Sequence, residues 1–192
     1  MKVLIVPEDP TYDQYVLKPI VERIFSDLER QARIEVLQNP RLTSVVQALD
    51  SAVLAGVVDK YPMVNIFLVL VDRDGDAEGR PARARAREEA HAGRLFVCLA
   101  IEEVEVWMLA IHREKLSAPW SEVRAEHHPK ERFANPFLAE HATKLGPGDG
   151  RKWAMRRLGS NWKGVLEVCE ELKELKQRIA SWLQSTTAAS PR

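Results

Sequence analysis

The sequence predicts an α/β fold, in which a central, mostly parallel sheet is flanked by helices and followed by a C-terminal helical extension. Short apolar runs rich in β-branched residues, typical of buried strands, cover residues 2–6, 64–71 and 95–101. Segments with a helical spacing of apolar residues separate these runs. Strands that alternate with helices favour parallel pairing through right-handed crossovers.

The first third of the chain predicts a strand, a helix, a short strand and a second helix. The run at 2–6 ends at a proline, and residues 11–31 then carry apolar residues at helical spacing. Thr11 is a candidate cap, and Pro19 predicts a kink or a later start. Alternation at 33–37 predicts a short strand, and 42–60 predicts a helix with one apolar face.

The middle of the chain contains the most apolar run, at 64–71, which predicts a central strand. A polar, alanine-rich helix is predicted at 79–92, a buried strand at 95–101 and a helix at 104–115. We therefore expect an α/β domain over residues 1–115.

The remainder of the chain predicts helices packed on that domain. Periodicity weakens between 117 and 150, and an amphipathic helix is predicted at 163–183. We assign residues 116–184 to a helical extension and residues 185–192 to a disordered tail.

Composition narrows the functional classes. The 192 residues carry 28 acidic and 28 basic side chains, so no global field favours nucleic acid or membrane, and any basic surface must be local. Cys98 and Cys169 lie far apart in apolar patterns, which fits a reducing compartment. No apolar run reaches the roughly 18 residues that a membrane span needs. We expect a cytoplasmic protein.

Acidic residues follow three of the predicted strands. Carboxyl ends of parallel strands share one edge, where ligands gather in α/β proteins. Converging carboxylates repel one another unless a cation lies between them, and a hard divalent ion prefers such oxygen ligands. Each group alone is ordinary, because acids also favour helix N-termini. Together they predict a divalent-metal site built from three groups: Glu8 and Asp9; Asp72 and Asp74; Glu102, Glu103 and Glu105.

A first strand that ends in Glu, a helix, and a later strand that ends in D-x-D together resemble the Toprim domain over about residues 1–115. Glu8 matches the family's glutamate, and Asp72 and Asp74 match its acidic pair. Asp13 is the nearest candidate for a further acid. Asp74 to Gly79 also matches the family's D-x-D-x-x-G pattern in a shifted register, which leaves Asp76 open as a ligand.

Residues 104–112, VEVWMLAIH, are similar to the FE-x-W-L-L-x-H stretch of RloB-like Toprim proteins, which occur in bacterial defence loci, and the chain also resembles nucleases of the overcoming-lysogenization-defect class. The resemblance implies that Glu105 is a further metal-site acid and that Trp107 packs in the core. It leaves His112 either facing the site or on the helix surface.

The resemblance implies a Mg²⁺- or Mn²⁺-dependent nuclease, the effector of a defence or toxin system. No strand-rejoining tyrosine domain is evident, so hydrolysis is favoured. Lys144, followed by a basic segment, is the candidate phosphate-binding residue. Glu8 is either a ligand or a general base. The expected catalytic residues are Glu8, Asp72, Asp74, Glu105 and Lys144, and the expected metal ligands are Glu8, Asp13, Asp72, Asp74, Asp76, Glu103 and Glu105.

Two alternatives stay open. One is an inactive Toprim-like binding subunit for an ATPase or another protein partner, because Asp9 replaces the glycine that usually follows the family's glutamate. The other is a phosphoacceptor receiver domain, which would need a lysine at the end of a later strand. The choice between DNA and RNA, and between a monomer and a homo-oligomer, also stays open.

Overall fold

A computed structural model describes residues 1–142, 146 and 148–188. Within that part of the chain, four strands form a single parallel sheet in the order β2-β1-β3-β4. The predicted α/β fold is confirmed. The strands are β1 (Lys2–Pro7), β2 (Arg33–Val36), β3 (Ile66–Asp72) and β4 (Leu95–Ala100).

Helices fill the connections and the C-terminal region. A five-residue π-helical turn spans Lys130–Ala134. The α-helices are α1 (Gln14–Asp27), α2 (Val45–Ala48), α3 (Ser51–Lys60), α4 (Gly79–Ala90), α5 (Glu105–Ala110), α6 (Trp120–Ala125), α7 (Asn135–His141), α8 (Arg151–Ala154), α9 (Leu158–Val168) and α10 (Glu170–Ala188).

The alternation of side chains along each strand builds one core on each face of the sheet. One core joins Ile5 and Leu68 to α1, α5 and the C-terminal helices, and the other joins Leu4 and Val69 to α2, α3 and α4. Trp107 is fully buried in the first core, as expected. Residues between 116 and 184 complete that core, so the helical extension packs directly on the sheet.

Two predicted helices are interrupted. The helix expected at 42–60 breaks at Asp50, whose carboxylate accepts hydrogen bonds from the N–H groups of Ala52 and Val53 at 2.9 Å and caps α3. The helix expected at 163–183 divides at Cys169, which is fully buried between α9 and α10. In both cases the apolar spacing continues across the break, so periodicity alone does not reveal it.

The first and last helices also differ in their bounds from the prediction. Helix α1 begins at Gln14, later than the candidate cap Thr11, but Pro19 lies inside the helix and does not set its start. Helix α10 continues to Ala188, beyond the predicted start of the tail at Ser185. Among the described residues, no helix combines the length and apolar character that a membrane crossing requires.

Candidate metal centre

The sheet topology brings three acidic segments to one edge. Strands β1, β3 and β4 are neighbours and run parallel, so their carboxyl ends lie together. Glu8 directly follows β1, and Asp72 is the last residue of β3, opposite Ala100 of β4. Glu105 begins helix α5, shortly after β4.

Asp72 lies at the centre of this edge. Its Oδ1 accepts a hydrogen bond from the Val104 N–H at 2.9 Å. Burial raises the pKa of Asp72 well above its usual value, and repulsion from Glu105, Asp13 and Glu8 raises it further. Four carboxylates from four segments of the chain therefore lie near enough to influence one another. We name Glu8, Asp13, Asp72 and Glu105 the carboxylate cluster.

Asp13 joins the cluster from the turn before α1. Its side chain is buried, and its Oδ2 accepts a hydrogen bond from the Asp9 N–H at 3.0 Å. Burial raises the pKa of Asp13 to about 7, and the nearby Glu105 and Asp9 carboxylates add to the rise. A loop residue that no strand-end pattern could place thus becomes part of the site.

Glu8 contributes an unpaired carboxylate oxygen. Its Oε2 is buried and has no hydrogen-bond partner among the described residues. Burial raises the pKa of Glu8, as does repulsion from Asp74, while Arg80 acts in the opposite direction. A buried carboxylate oxygen without a partner is costly, and a bound cation would satisfy it.

Two cations lie within the cluster. The Nζ of Lys130, in the π-helical turn, is 3.8 Å from Oε1 of Glu105, and its side chain is 38% exposed. Burial lowers the pKa of Lys130, but attraction to Glu105, Asp13 and Glu103 outweighs this and raises it. Lys130 is therefore a charged amine that reaches from the buried acids to the surface.

Arg151 forms the deeper contact. Its Nη2 donates to Oε1 of Glu105 at 2.6 Å, and its Nε donates to the same oxygen at 3.3 Å. Gly150 positions this arginine at the start of α8: its φ is +87°, and a Cβ there would lie 2.8 Å from the Cβ of Ala142. The guanidinium also lies over the Tyr12 ring, 5.3 Å from its centroid.

The charges of the cluster fit one divalent ion. When all four carboxylates are ionised, their charge exceeds that of the two cations Lys130 and Arg151 by two negative charges, which one Mg²⁺ would neutralise. Arg151 already pairs with Glu105, whereas Glu8, Asp13 and Asp72 form no ion pair within the described residues. These three would hold the metal, and Glu105 would hold the two cations beside it.

The remaining strand-end acids have other contacts. Asp74 is 43% exposed and pairs with Arg80, whose Nη1 lies 2.7 Å from its Oδ2, at the rim of the cluster near Glu8. Asp76 accepts a hydrogen bond from the Gly79 N–H at 2.6 Å, so it caps the start of α4. That bond lowers the pKa of Asp76. Both residues stay predictions as metal ligands.

Glu102 binds the loop that follows β3. It accepts hydrogen bonds from the Arg73 side chain and from the Gly75 N–H. Burial opposes ionisation, but these bonds hold the pKa of Glu102 below its usual value. Glu102 therefore shapes the backbone between Asp72 and Asp76.

Glu103 points toward the π-helical turn. Its Oε2 accepts a hydrogen bond from the Lys130 N–H at 2.6 Å, and burial raises its pKa to about 7. In the described part of the chain, the only three metal-ligating side chains with ligand atoms all within 4.8 Å of one another are Glu103, His128 and Glu131. The carboxylate cluster is wider than this, so a cation there would draw its ligands inward.

The remaining residues of interest are a predicted lysine, a predicted histidine and the two cations beside the cluster. Lys144 lies outside the described residues. His112 is not on the helix surface: it is buried, and its ring stacks on Trp153 with 5.7 Å between ring centroids. Lys130 and Arg151, the two cations beside the cluster, carry no strand-end signal. Lys130 lies in a weakly periodic region, and no sequence pattern distinguishes it from other surface lysines.

Comparison with protein-family models, with curated proteins and with solved structures found no match to this chain.

Proposed function

We propose that this chain is a Mg²⁺-dependent nuclease that hydrolyses phosphodiester bonds of nucleic acid. The observation that carries the proposal is the position of Asp72. It ends a central strand among three other carboxylates, and burial together with repulsion from these carboxylates raises its pKa well above the usual value. Such an arrangement is costly unless a cation is bound, and it suits an ion that takes few protein ligands and keeps several waters.

Glu8, Asp13 and Asp72 would hold the ion. A bound Mg²⁺ would lower the pKa of a water and stabilise charge on a phosphate oxygen. The unpaired Oε2 of Glu8 is placed either to ligate or to accept a proton from the attacking water. In hydrolysis, the water oxygen bonds to phosphorus while the bond from phosphorus to the leaving oxygen breaks, and the leaving oxygen takes up a proton.

Lys130 would bind the phosphate. Its ammonium group lies between the buried Glu105 and the solvent, and its attraction to the cluster keeps it protonated. It therefore offers a fixed positive charge at the mouth of the site. Lys144 stays a second candidate for this role. The wider setting in a defence or toxin system is a proposal that rests on the Toprim resemblance.

Cleavage assays test the proposal. The purified chain is incubated with double-stranded DNA, single-stranded DNA and structured RNA, with Mg²⁺, with Mn²⁺ or with EDTA. Asp72→Asn and Glu8→Gln keep the shape of each side chain but remove its charge. We expect cleavage to fall more than about 100-fold in both variants, because the metal supplies several kcal/mol of stabilisation to the transition state.

Asp59→Asn is the matched control, since Asp59 is an exposed acid on α3, remote from the carboxyl edge. It should keep wild-type activity. Cleavage that persists in Asp72→Asn and Glu8→Gln would overturn the assignment of the site. Mg²⁺ binding without cleavage of any substrate would favour the inactive binding subunit instead.

A further inference from the structure

A second group of metal-ligating side chains lies beside the carboxylate cluster. One ligand atom from each of Glu103, His128 and Glu131 lies within 4.8 Å of the other two. We name this group the histidine trio. It combines an imidazole nitrogen with two carboxylate oxygens, whereas the carboxylate cluster offers oxygen alone.

The ligand atoms of the trio are available. Among the described residues, neither the ring of His128 nor the carboxylate of Glu131 has a hydrogen bond or an ion pair. Glu103 uses Oε2 to accept from the Lys130 N–H, and its Oε1 has no hydrogen bond within the described part of the chain. Nearby Glu122 and Glu126 are instead paired with Arg132, so they do not compete.

Local contacts fix the backbone that carries the three side chains. His128 precedes Pro129, which restricts it to extended conformations, and its N–H donates to Oε1 of Glu126 at 3.1 Å. Glu131 lies in the π-helical turn, a feature that is frequent at functional sites. Glu103 is tied to the same turn through the Lys130 N–H.

The three ligand atoms need to move only slightly closer together to bind one metal ion. Tetrahedral bonds of about 2.0–2.1 Å place ligand atoms roughly 3.4 Å apart. His128 and Glu131 are exposed, so their side chains can rotate inward from the present separation. Like charges on Glu103 and Glu131 would then face a shared cation rather than each other.

We infer that Glu103, His128 and Glu131 form a separate site for a borderline transition-metal ion, with Zn²⁺ as the best match. Imidazole suits Zn²⁺, Fe²⁺ and Ni²⁺, whereas Mg²⁺ prefers oxygen alone. Three protein ligands leave the fourth position to water, as in catalytic zinc sites. The inference does not depend on nuclease activity, because none of the three residues belongs to the carboxylate cluster.

Metal titration of the full chain, without a polyhistidine tag, tests this site. The Asp72→Asn variant serves as the background, so that the carboxylate cluster does not compete for the metal. Co²⁺ is the spectroscopic probe for tetrahedral coordination, and Zn²⁺ binding is measured by calorimetry. We expect about one equivalent of Co²⁺ with intense visible absorption, displaced by Zn²⁺ and not by Mg²⁺.

His128→Ala is added to this background, with His127→Ala as the matched control because both histidines are adjacent and exposed. Loss of a direct ligand should lower Zn²⁺ affinity by more than the roughly 10–100-fold that loss of an outer contact causes. Glu131→Gln should act in the same direction, and His127→Ala should bind normally. The site is overturned if Asp72→Asn alone abolishes Co²⁺ binding or if His128→Ala leaves it unchanged.

Discussion

The guanidinium of Arg151 donates two hydrogen bonds to one oxygen of Glu105, and both side chains are almost fully buried, at 4% and 2% exposed. The pair joins the start of α8 to the start of α5, across 46 positions in the sequence. It gives Glu105 a structural partner that the strand-end pattern did not suggest. Glu105 stays a predicted metal ligand, but its first role in this fold is to anchor Arg151 beneath the site.

Removal of Arg151 should destabilise the protein strongly. Arg151→Met leaves Glu105 buried with Lys130 as its one remaining ion-pair partner in the described part of the chain, and breaking a buried pair from one side costs about 3–5 kcal/mol. Urea denaturation measures the loss, and Lys152→Met at the next, exposed position is the control. The double variant with Glu105→Gln should be more stable than Arg151→Met alone. Equal stability of Arg151→Met and Lys152→Met would contradict this role.

The metal-free protein should lose stability as pH rises through neutrality. The pKa of Asp13 is 3.8 in the unfolded chain and about 7 in the fold, so the folded state binds more protons between these values. This contribution is fully present below pH 3.8 and is lost as pH rises through about 7. Asp72 and Glu103, whose pKa values are also raised, act in the same direction.

Thermal unfolding between about pH 5 and 8.5 in EDTA measures this loss. Asp13→Asn should decline less steeply than the wild type, because its amide does not titrate. The difference between the two curves gives the contribution of Asp13 to the pH dependence of stability, separate from that of acids elsewhere in the chain. Parallel curves would show that Asp13 does not carry the predicted shift.

Mg²⁺ should stabilise the wild type, most clearly at alkaline pH where the cluster is ionised. At a concentration of about 100 times the dissociation constant, binding adds roughly 2.7 kcal/mol to the free energy of unfolding. Asp72→Asn should be more stable than the wild type in EDTA at alkaline pH, because it removes one repelling charge. It should gain little from Mg²⁺. A Mg²⁺-induced rise in Tm equal to that of the wild type would remove Asp72 from the ligand set.

The sequence was sufficient to predict the acids whose position depends on strand ends. The apolar run that ends at Asp72 is the last stretch of β3, and Glu8 directly follows β1, so parallel pairing alone brought both to one edge. Each strand is an apolar run, and the run stops at the polar edge of the sheet where the acids begin. The apolar runs and the acids that follow them were therefore enough to predict that Glu8 and Asp72 lie at one edge of the sheet.

The cations were not predictable in this way. Lys130 and Arg151 come from segments with weak periodicity, and their placement depends on how α7, α8 and the π-helical turn pack on the first core. The break at Asp50 was different, because an aspartate followed by a serine is a recognisable cap signal within an otherwise continuous apolar pattern. Long-range packing determines where the two cations lie, whereas the local capping preference of Asp50 determines the break.

Lys130 should affect both cleavage and the pH at which the metal binds. Its charge lowers the pKa of Asp13, Glu103 and Glu8. Lys130→Met removes that charge, so these acids should hold their protons to higher pH, and Mg²⁺ binding should shift in the alkaline direction. Cleavage should fall about 10–1,000-fold even when Mg²⁺ is saturating, since the phosphate loses a fixed positive partner.

Calorimetry across pH measures the shift in binding, and saturation kinetics at high Mg²⁺ measures the loss of cleavage. Lys130→Arg keeps the charge and should restore the pH dependence of binding more fully than it restores kcat, because a guanidinium places its donors differently from an ammonium. A purely structural Lys130 would instead lower stability and leave the pH dependence of Mg²⁺ binding unchanged. Since Lys130 is 38% exposed and contacts Glu105 only at 3.8 Å, its removal should cost less stability than removal of Arg151. Calorimetry across pH and saturation kinetics therefore distinguish a Lys130 charge that acts on the phosphate and the metal from one that only stabilises the fold.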